Sequence, residues 1–429
     1  MLFCKIDLLD ENLTHKPEQY VGISGGIIDY IGSEKPDKDY GEEYYGKGKL
    51  LMPALYNAHT HSPMTLLRGY AENLSLHDWL HEMVFPFEAK LNANDIYNGT
   101  MLAIAEMIRF GTISFTDMYY MGDEVARAVL ETGVKCNFSY GITCFQDECE
   151  YGSLRNAKES KKLLERLHNA GDGRFKLDLC IHGEYTSTPR IVAAVAEHAA
   201  AEDVRIHIHL SETKSEHEDC KVRHGKTPAR YFRDLGIFDS PVTAAHCVWL
   251  EDEDFEILLE AGATVAACPV SNLKLASGFA NVTKMLEMGI NVALGTDGAS
   301  SNNNLNLFKD LHTFCVLYKC TSSDPAAITP KQAIKCATVN GAKSQGRENC
   351  GFIKKGAAAD LIVLNTNVAH MRPVHDMLNN VAFAAQGSDV CLTMADGKVL
   401  YKDGEYFTLD IEQVIYHAEK STGDILELI

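Results

Sequence analysis

The chain has no apolar run long enough to span a membrane. Its first residues, MLFCKIDLLDENL, lack the cationic start and long apolar stretch of a secretion signal, and acids interrupt them early. Neither export nor membrane insertion is expected, and a cytoplasmic location is. Basic residues are outnumbered: 40 Lys and Arg face 59 Asp and Glu, a formal net charge of −19. That balance disfavours a nucleic-acid backbone as partner, which demands a basic surface, but leaves small ligands open. The 13 cysteines show no CxxC and no zinc-finger spacing. Such an odd, dispersed set reads as reduced core thiols, Cys247 beside His246 included, and not as a disulfide framework. There is no internal repeat beyond a β–α rhythm and no low-complexity segment.

What is present is a soluble globular balance, 46% hydrophobic and 23% charged residues in 429. Residues 1–52 and 356–408 read as short strands and turns, with Gly-Gly in YVGISGGIIDYIGS and Asp-Gly in CLTMADGKVLYKDGEY as hairpin signals. They predict one small β-sandwich assembled from both termini. The tail, 409–429, has helical apolar spacing and is expected to pack outside. Residues 53–355 alternate eight short apolar strands with amphipathic helices such as TPRIVAAVAEHAAAED. This predicts a (β/α)8 TIM-type barrel. The alternative, a doubly wound open sheet, is disfavoured because no GxGxxG follows the first strand.

Barrel enzymes place their chemistry at the C-terminal ends of the strands. Here His59 and His61 end the first predicted strand, LYNAHTH, on one face because side chains alternate. His182 ends the fourth, His209 the fifth with Glu212 three positions later, His246 the sixth and Asp297 the eighth. Taken singly, each has a bland reading: a satisfied core histidine, or an aspartate capping the next helix. His207 is read that way, one layer deeper than His209. Together they describe three imidazoles and a carboxylate suited to Zn2+, or to Fe2+, with an open position for water. The ion lowers the pKa of that water, Glu212 passes protons, His246 polarises the nucleophile and Asp297 takes its proton.

With these residues in hand, the chain resembles the amidohydrolase superfamily, in its mononuclear-metal deaminase branch. The resemblance rests on NAHTHSPMTLLRG, HLSET, AAHC, SNLKLASG, LGTDGASSNNNLNLF and GAAADLIVL and covers essentially the whole chain. The S-adenosylhomocysteine/5′-methylthioadenosine/adenosine deaminase-like group is the nearest in pattern. The resemblance implies His59, His61, His209 and Asp297 as ligands of one divalent metal ion, Glu212 as proton shuttle and His246 as the residue that orients the nucleophile. It places Trp79 and Glu88 in the loop after the first strand, framing the nucleoside, with Glu88 on the ribose hydroxyls. It sets His182 and Ser301 against the purine. Relatives that accept S-adenosylhomocysteine hold its carboxylate with arginines where this chain has Tyr140 and Ser153; Arg155 lies near in a shifted register. A buried carboxylate wants a bidentate guanidinium, so adenosine, 5′-deoxyadenosine and 5′-methylthioadenosine are the expected substrates. The resemblance also implies a homo-oligomer. Rival readings are a deaminase or chlorohydrolase of another azaheterocycle (guanine, pterin, cytosine, triazine) and a metal-free scaffold; the filled ligand and shuttle positions speak against the second.

Overall fold

The computed structural model describes residues 1–70, 72–74, 78–146 and 148–429. Eight parallel strands follow one another in chain order: Leu55–Thr60, Thr112–Tyr119, Lys135–Tyr140, Phe175–Ile181, Ile206–Leu210, Val242–His246, Thr264–Ala267 and Asn291–Leu294. Most are buried on both faces, as strands covered by crossover helices must be. The sheet nearly closes into a barrel. The Asp297 N–H donates to the His59 carbonyl at 2.9 Å, tying the end of the eighth strand to the first. Gly295 permits that approach, since a Cβ there would sit 2.9 Å from the Cβ of His59.

The connecting helices carry local start and stop signals. Ala93–Arg109 opens on Asn92, whose side chain accepts from the Asn94 and Asp95 N–H groups while Asp95 accepts from the Asn92 N–H. Gly122–Thr132 ends on Gly133 at φ +79°, a left-handed cap that glycine adopts without strain.

A second, mixed sheet of nine strands is built from both termini. Its N-terminal and C-terminal halves join where Lys49–Pro53 pairs antiparallel with Leu361–Asn365, Leu51 opposite Val363. The Gly25–Gly26 turn meets the Asp396–Gly397 turn, with the Ala359 N–H bonded to the Gly26 carbonyl at 2.9 Å. The expected sandwich is thus a single hydrogen-bonded sheet curling about its own core of Phe3, Ile6, Leu8, Val21, Leu51, Val363 and Leu392.

Only Ala54 separates the last N-terminal strand of this sheet from the first barrel strand. Below the barrel, the buried Lys135 ammonium bonds Asp360 at 2.6 Å and Asp396 at 2.7 Å, and Tyr56 also donates to Asp360. The C-terminal helix, Ile411–Leu426, buries Val414, Ala418, Ser421 and Ile425 on one face. It lies against Ala93–Arg109, where Asn98 donates to Ser421 at 3.0 Å. Among the described residues no helix is long and apolar enough to cross a membrane.

Candidate metal centre and active site

Four of the expected donors converge at the C-terminal mouth of the barrel. The donor atoms of His59, His61 and Asp297 lie within 4.8 Å of one another, and so do those of His59, His209 and His246. Each ring is turned by a bond on its far side. His61 Nδ1 sits 2.7 Å from the Met118 carbonyl and His209 Nδ1 2.6 Å from the His182 carbonyl, so both donate there and present Nε2 as a lone pair. His59 Nδ1 lies 2.9 Å from His207 Nε2. Asp297 Oδ2 accepts from Ser271 at 2.6 Å and Ser301 at 2.8 Å, which leaves Oδ1 facing His59 and His61 at 3.3 and 3.2 Å.

These residues fit a divalent cation. Nε2 of His59 is buried and has no aligned hydrogen-bond partner among the described residues, an orphan that a metal ion would satisfy. Burial pushes the His59 imidazole down to about 3 and His209 well below its ordinary value, so both are neutral ligands at physiological pH. Burial alone would raise Asp297, but the His59 and His61 rings hold it well below the carboxylate range. Burial alone would lower His61, but its bond to Asp297 raises it to about 9 in the metal-free chain, so it gives up a proton on binding an ion. Three imidazoles and one carboxylate are then donors of the kind that zinc and ferrous iron accept.

Glu212 and His246 stand beside this cup, with Oε2 of Glu212 3.8 Å from Nε2 of His246. The other ring nitrogen of His246 is held by the Asn272 amide oxygen at 2.8 Å. Burial pushes the Glu212 carboxyl up, against the pull of His246. The backbone that carries it bends at Ser211, at φ +48°, and the His246, Cys247 and Asp297 turns are also left-handed. Strained non-glycine turns of this kind persist where surrounding contacts over-determine them, and here they gather at the strand ends that carry the candidate site. Glu216, on the helix Lys214–His224, accepts from the N–H groups of both Ser211 and Glu212, at 2.9 and 2.7 Å.

A cavity with about 770 Å3 of atom-free space opens over these groups. Its floor is His61, His182, His209, Glu212, His246, Asp297 and Ser301, and its apolar wall is Met64, Trp79, Leu80, Val84 and Phe85. Trp79 and Glu88 do not sit in an irregular loop: they lie on a helical segment, a wide-turned stretch over Trp79–Val84 continued by Phe85–Glu88. Glu88 Oε1 accepts from Tyr119 at 2.6 Å, and burial raises its carboxyl to about 7. His182 is pushed down to about 4 by burial, and its Nδ1 has no partner among the described residues.

Two expected site residues lie elsewhere. Tyr140 lines a neighbouring cavity with Glu88, Tyr120 and Arg155. Ser153 is exposed on a short turn, its hydroxyl donating to the Glu150 carbonyl at 2.7 Å. Ser301 lines the main cavity, yet its hydroxyl is committed to Asp297. Sequence reading gave no role to Glu216, Ser271, Asn272 or Tyr119. Ser271 and Asn272 open the SNLKLASG stretch on which the resemblance rests, and Glu216 closes the Thr213-x-x-Glu216 pattern of a helix start. His207, read as a core residue, is buried and also braces His59.

Residues 50–400 match the family model described as the amidohydrolase family. A 5-methylthioadenosine/S-adenosylhomocysteine deaminase of Dictyoglomus turgidum is 43% identical over 409 residues, 94% of each chain. A 5′-deoxyadenosine deaminase of Methanosarcina mazei is 43% identical over 380 residues, covering 89% of this chain and 87% of that protein. Among solved structures, an adenosine deaminase from Xanthomonas campestris with bound zinc superposes with a TM-score of 0.93 at 28% identity, covering 99% of this chain and 98% of the other.

Proposed function

This chain belongs to the amidohydrolase family, and from that premise we infer that it hydrolyses the exocyclic C–N bond of adenine nucleosides. Water and the nucleoside give ammonia and the inosine-type product. One observation carries the reading from family to reaction: the half-buried Glu212 carboxyl stands beside His246 on the floor of the cavity, together with the His61, His209 and Asp297 donors. Deamination of a purine needs a proton on the ring nitrogen next to the attacked carbon, and a carboxyl whose pKa burial has raised is suited to deliver it.

We assign His59, His61, His209 and Asp297 to one divalent ion, zinc in preference to Fe2+. Such an ion acts as a Lewis acid and brings the pKa of a bound water toward neutrality. The protein's own groups then move the protons. His246 holds the attacking oxygen through Nε2, fixed by Asn272. Asp297 accepts a proton from that oxygen, its carboxylate oriented by the Ser271 and Ser301 hydroxyls. Glu212 protonates the ring nitrogen, and a further proton transfer lets the amino group leave as ammonia while the C6–N bond breaks. Glu88 takes the ribose hydroxyls, and Trp79 and Phe85 exclude water from above, so binding energy remote from the broken bond orients the purine. His182 faces the purine from the floor. We assign residues 53–355 to the catalytic unit, 1–52 and 356–408 to the sheet that supports it, and 409–429 to the outer helix. A cytoplasmic setting is supported by thirteen unpaired cysteines, ten of them buried.

Neutral 5′ groups are the proposed preference, because neither Tyr140 nor Ser153 offers a guanidinium to the cavity. Steady-state kinetics on adenosine, 5′-deoxyadenosine, 5′-methylthioadenosine and S-adenosylhomocysteine, with guanine and cytosine as free bases, test the reading. Turnover of the first three with ammonia release is expected. Efficient turnover of free bases with none of the nucleosides would overturn it.

A further inference from the structure

We propose that Glu216 is a positioning residue for the deamination: its carboxylate sets the Ser211–Glu212 turn, aims Glu212 at the substrate and locks that turn to the one carrying His246. The proposal rests on the reading of Glu212 as the proton shuttle.

Glu216 stands where a helix-start glutamate ordinarily returns its carboxylate to the N–H of the capping residue, here Thr213. Thr213 does cap the helix, its hydroxyl accepting from the Glu216 N–H at 3.1 Å. The Glu216 side chain, however, passes Thr213 by and takes the two N–H groups before it, those of Ser211 and Glu212. Both oxygens are used, one for each donor. Helix capping does not require that arrangement; a fixed turn at 211–212 does.

The turn needs fixing because Ser211 is left-handed, a conformation costly for a residue with a Cβ. Its other polar groups are also tied. The Ser211 carbonyl accepts from Val248 at 3.1 Å and Trp249 at 2.9 Å, and its hydroxyl lies 3.2 Å from His217 Nδ1. The Cys247 N–H bonds the Leu210 carbonyl at 2.9 Å. Thus the strained turn after the fifth strand and the strained turn after the sixth are stitched together through Ser211. They carry Glu212 and His246, whose polar tips stand 3.8 Å apart. Releasing one Glu216 bond frees the backbone of the shuttle itself, not a distant surface. The charges facing Glu216 are Glu212 and Glu184, with the Tyr185 hydroxyl nearby.

The test uses the metal-loaded enzyme and a double-mutant cycle. Glu216→Gln keeps shape but offers one acceptor and one donor group, so one of the two N–H groups loses its partner. We expect metal content and unfolding temperature close to wild type, KM changed less than about threefold, and kcat lowered at least about thirtyfold. In a Glu212→Gln background the same change should cost less than about threefold more, since Glu216 acts through Glu212. A full additional loss in that background, or a kcat near wild type in the single variant, overturns the proposal. Should Glu216→Gln fail to fold, Ser211→Gly loosens the same turn without strain; it is expected to fold, retain metal and lose kcat, and full kcat there counts against the proposal. A wild-type enzyme with no nucleoside turnover would instead count against the proposed reaction.

Discussion

The Ser301 hydroxyl donates to Oδ2 of Asp297 at 2.8 Å, one helical turn further along the chain, and so fixes which carboxylate oxygen faces His59 and His61. Ser301 therefore braces a proposed metal ligand. Ser301→Ala should weaken metal retention about 10–100-fold, the usual effect of losing an outer hydrogen bond to a ligand. Competition with a chelator of known affinity measures it. A rise in KM with unchanged metal affinity would return Ser301 to a purely substrate-facing role.

Glu212→Gln removes the titrating proton while keeping the side chain's size. The variant should bind metal normally and lose about 10²–10⁴-fold in kcat, the range for a positioned acid–base group. Metal analysis alongside turnover separates this from a collapsed site, and near-normal turnover would remove Glu212 from the mechanism.

Glu88 couples the cavity to pH. Its folded pKa, about 7, lies above the ordinary 4.5 because of burial. A raised folded value means that the stability linked to the protonated form is complete below 4.5 and is lost as pH rises through about 7. Replacing Glu88 with Gln should flatten that part of the metal-free protein's stability–pH curve. It should also raise KM for a ribosylated substrate while leaving activity on any free base unaffected. Thermal unfolding across this window and parallel kinetics check both.

Below the barrel, Lys135 neutralises Asp360 inside the protein, with side-chain exposures of 5% and 1%. Lys135→Met leaves the Asp360 carboxylate buried with, among the described residues, the Tyr56 hydroxyl and the Asp396 N–H as donors. The expected loss is about 3–5 kcal/mol of stability, as for breaking a buried pair at one end. Denaturant unfolding of the variant measures it, and a loss below about 1 kcal/mol would show that water reaches Asp360.

Metal removal gives the last expectation. Dialysis against a chelator should abolish turnover and lower the unfolding temperature, since an ion that binds only the folded chain stabilises it by mass action. Zinc and ferrous iron, added back separately under anaerobic conditions, rank the two metals by recovered kcat.

The sequence by itself determined the barrel, the union of both termini in one small β-rich unit, and the residue types at the strand ends; that this unit is one continuous sheet and not a sandwich was decided by the tertiary structure. Those features are local: strand alternation put His59 and His61 on one side, and turn residues such as Gly25–Gly26 and Asp396–Gly397 marked the hairpins. The positions of Ser153 and the Trp79–Glu88 segment were less legible, because each follows a strand end by a path that alternation does not govern. Tyr140 ends its strand one residue off the face shared by Asn137 and Ser139, so alternation itself turns it toward the neighbouring cavity. Only the tertiary structure decided how the donors are braced. Ser271 reaches Asp297 across 26 residues, and Lys135 reaches Asp360 across 225. Glu216 turns back past its own cap to hold the shuttle. The two long-range bonds do not follow from a residue's neighbours in the chain: one needs barrel closure to bring strand ends to the rim, the other needs the sheet to seat below the barrel, and burial makes an unpaired polar group costly at both. The Glu216 bonds are short in sequence, but their choice of Ser211 and Glu212 over Thr213 is set by the folded turn.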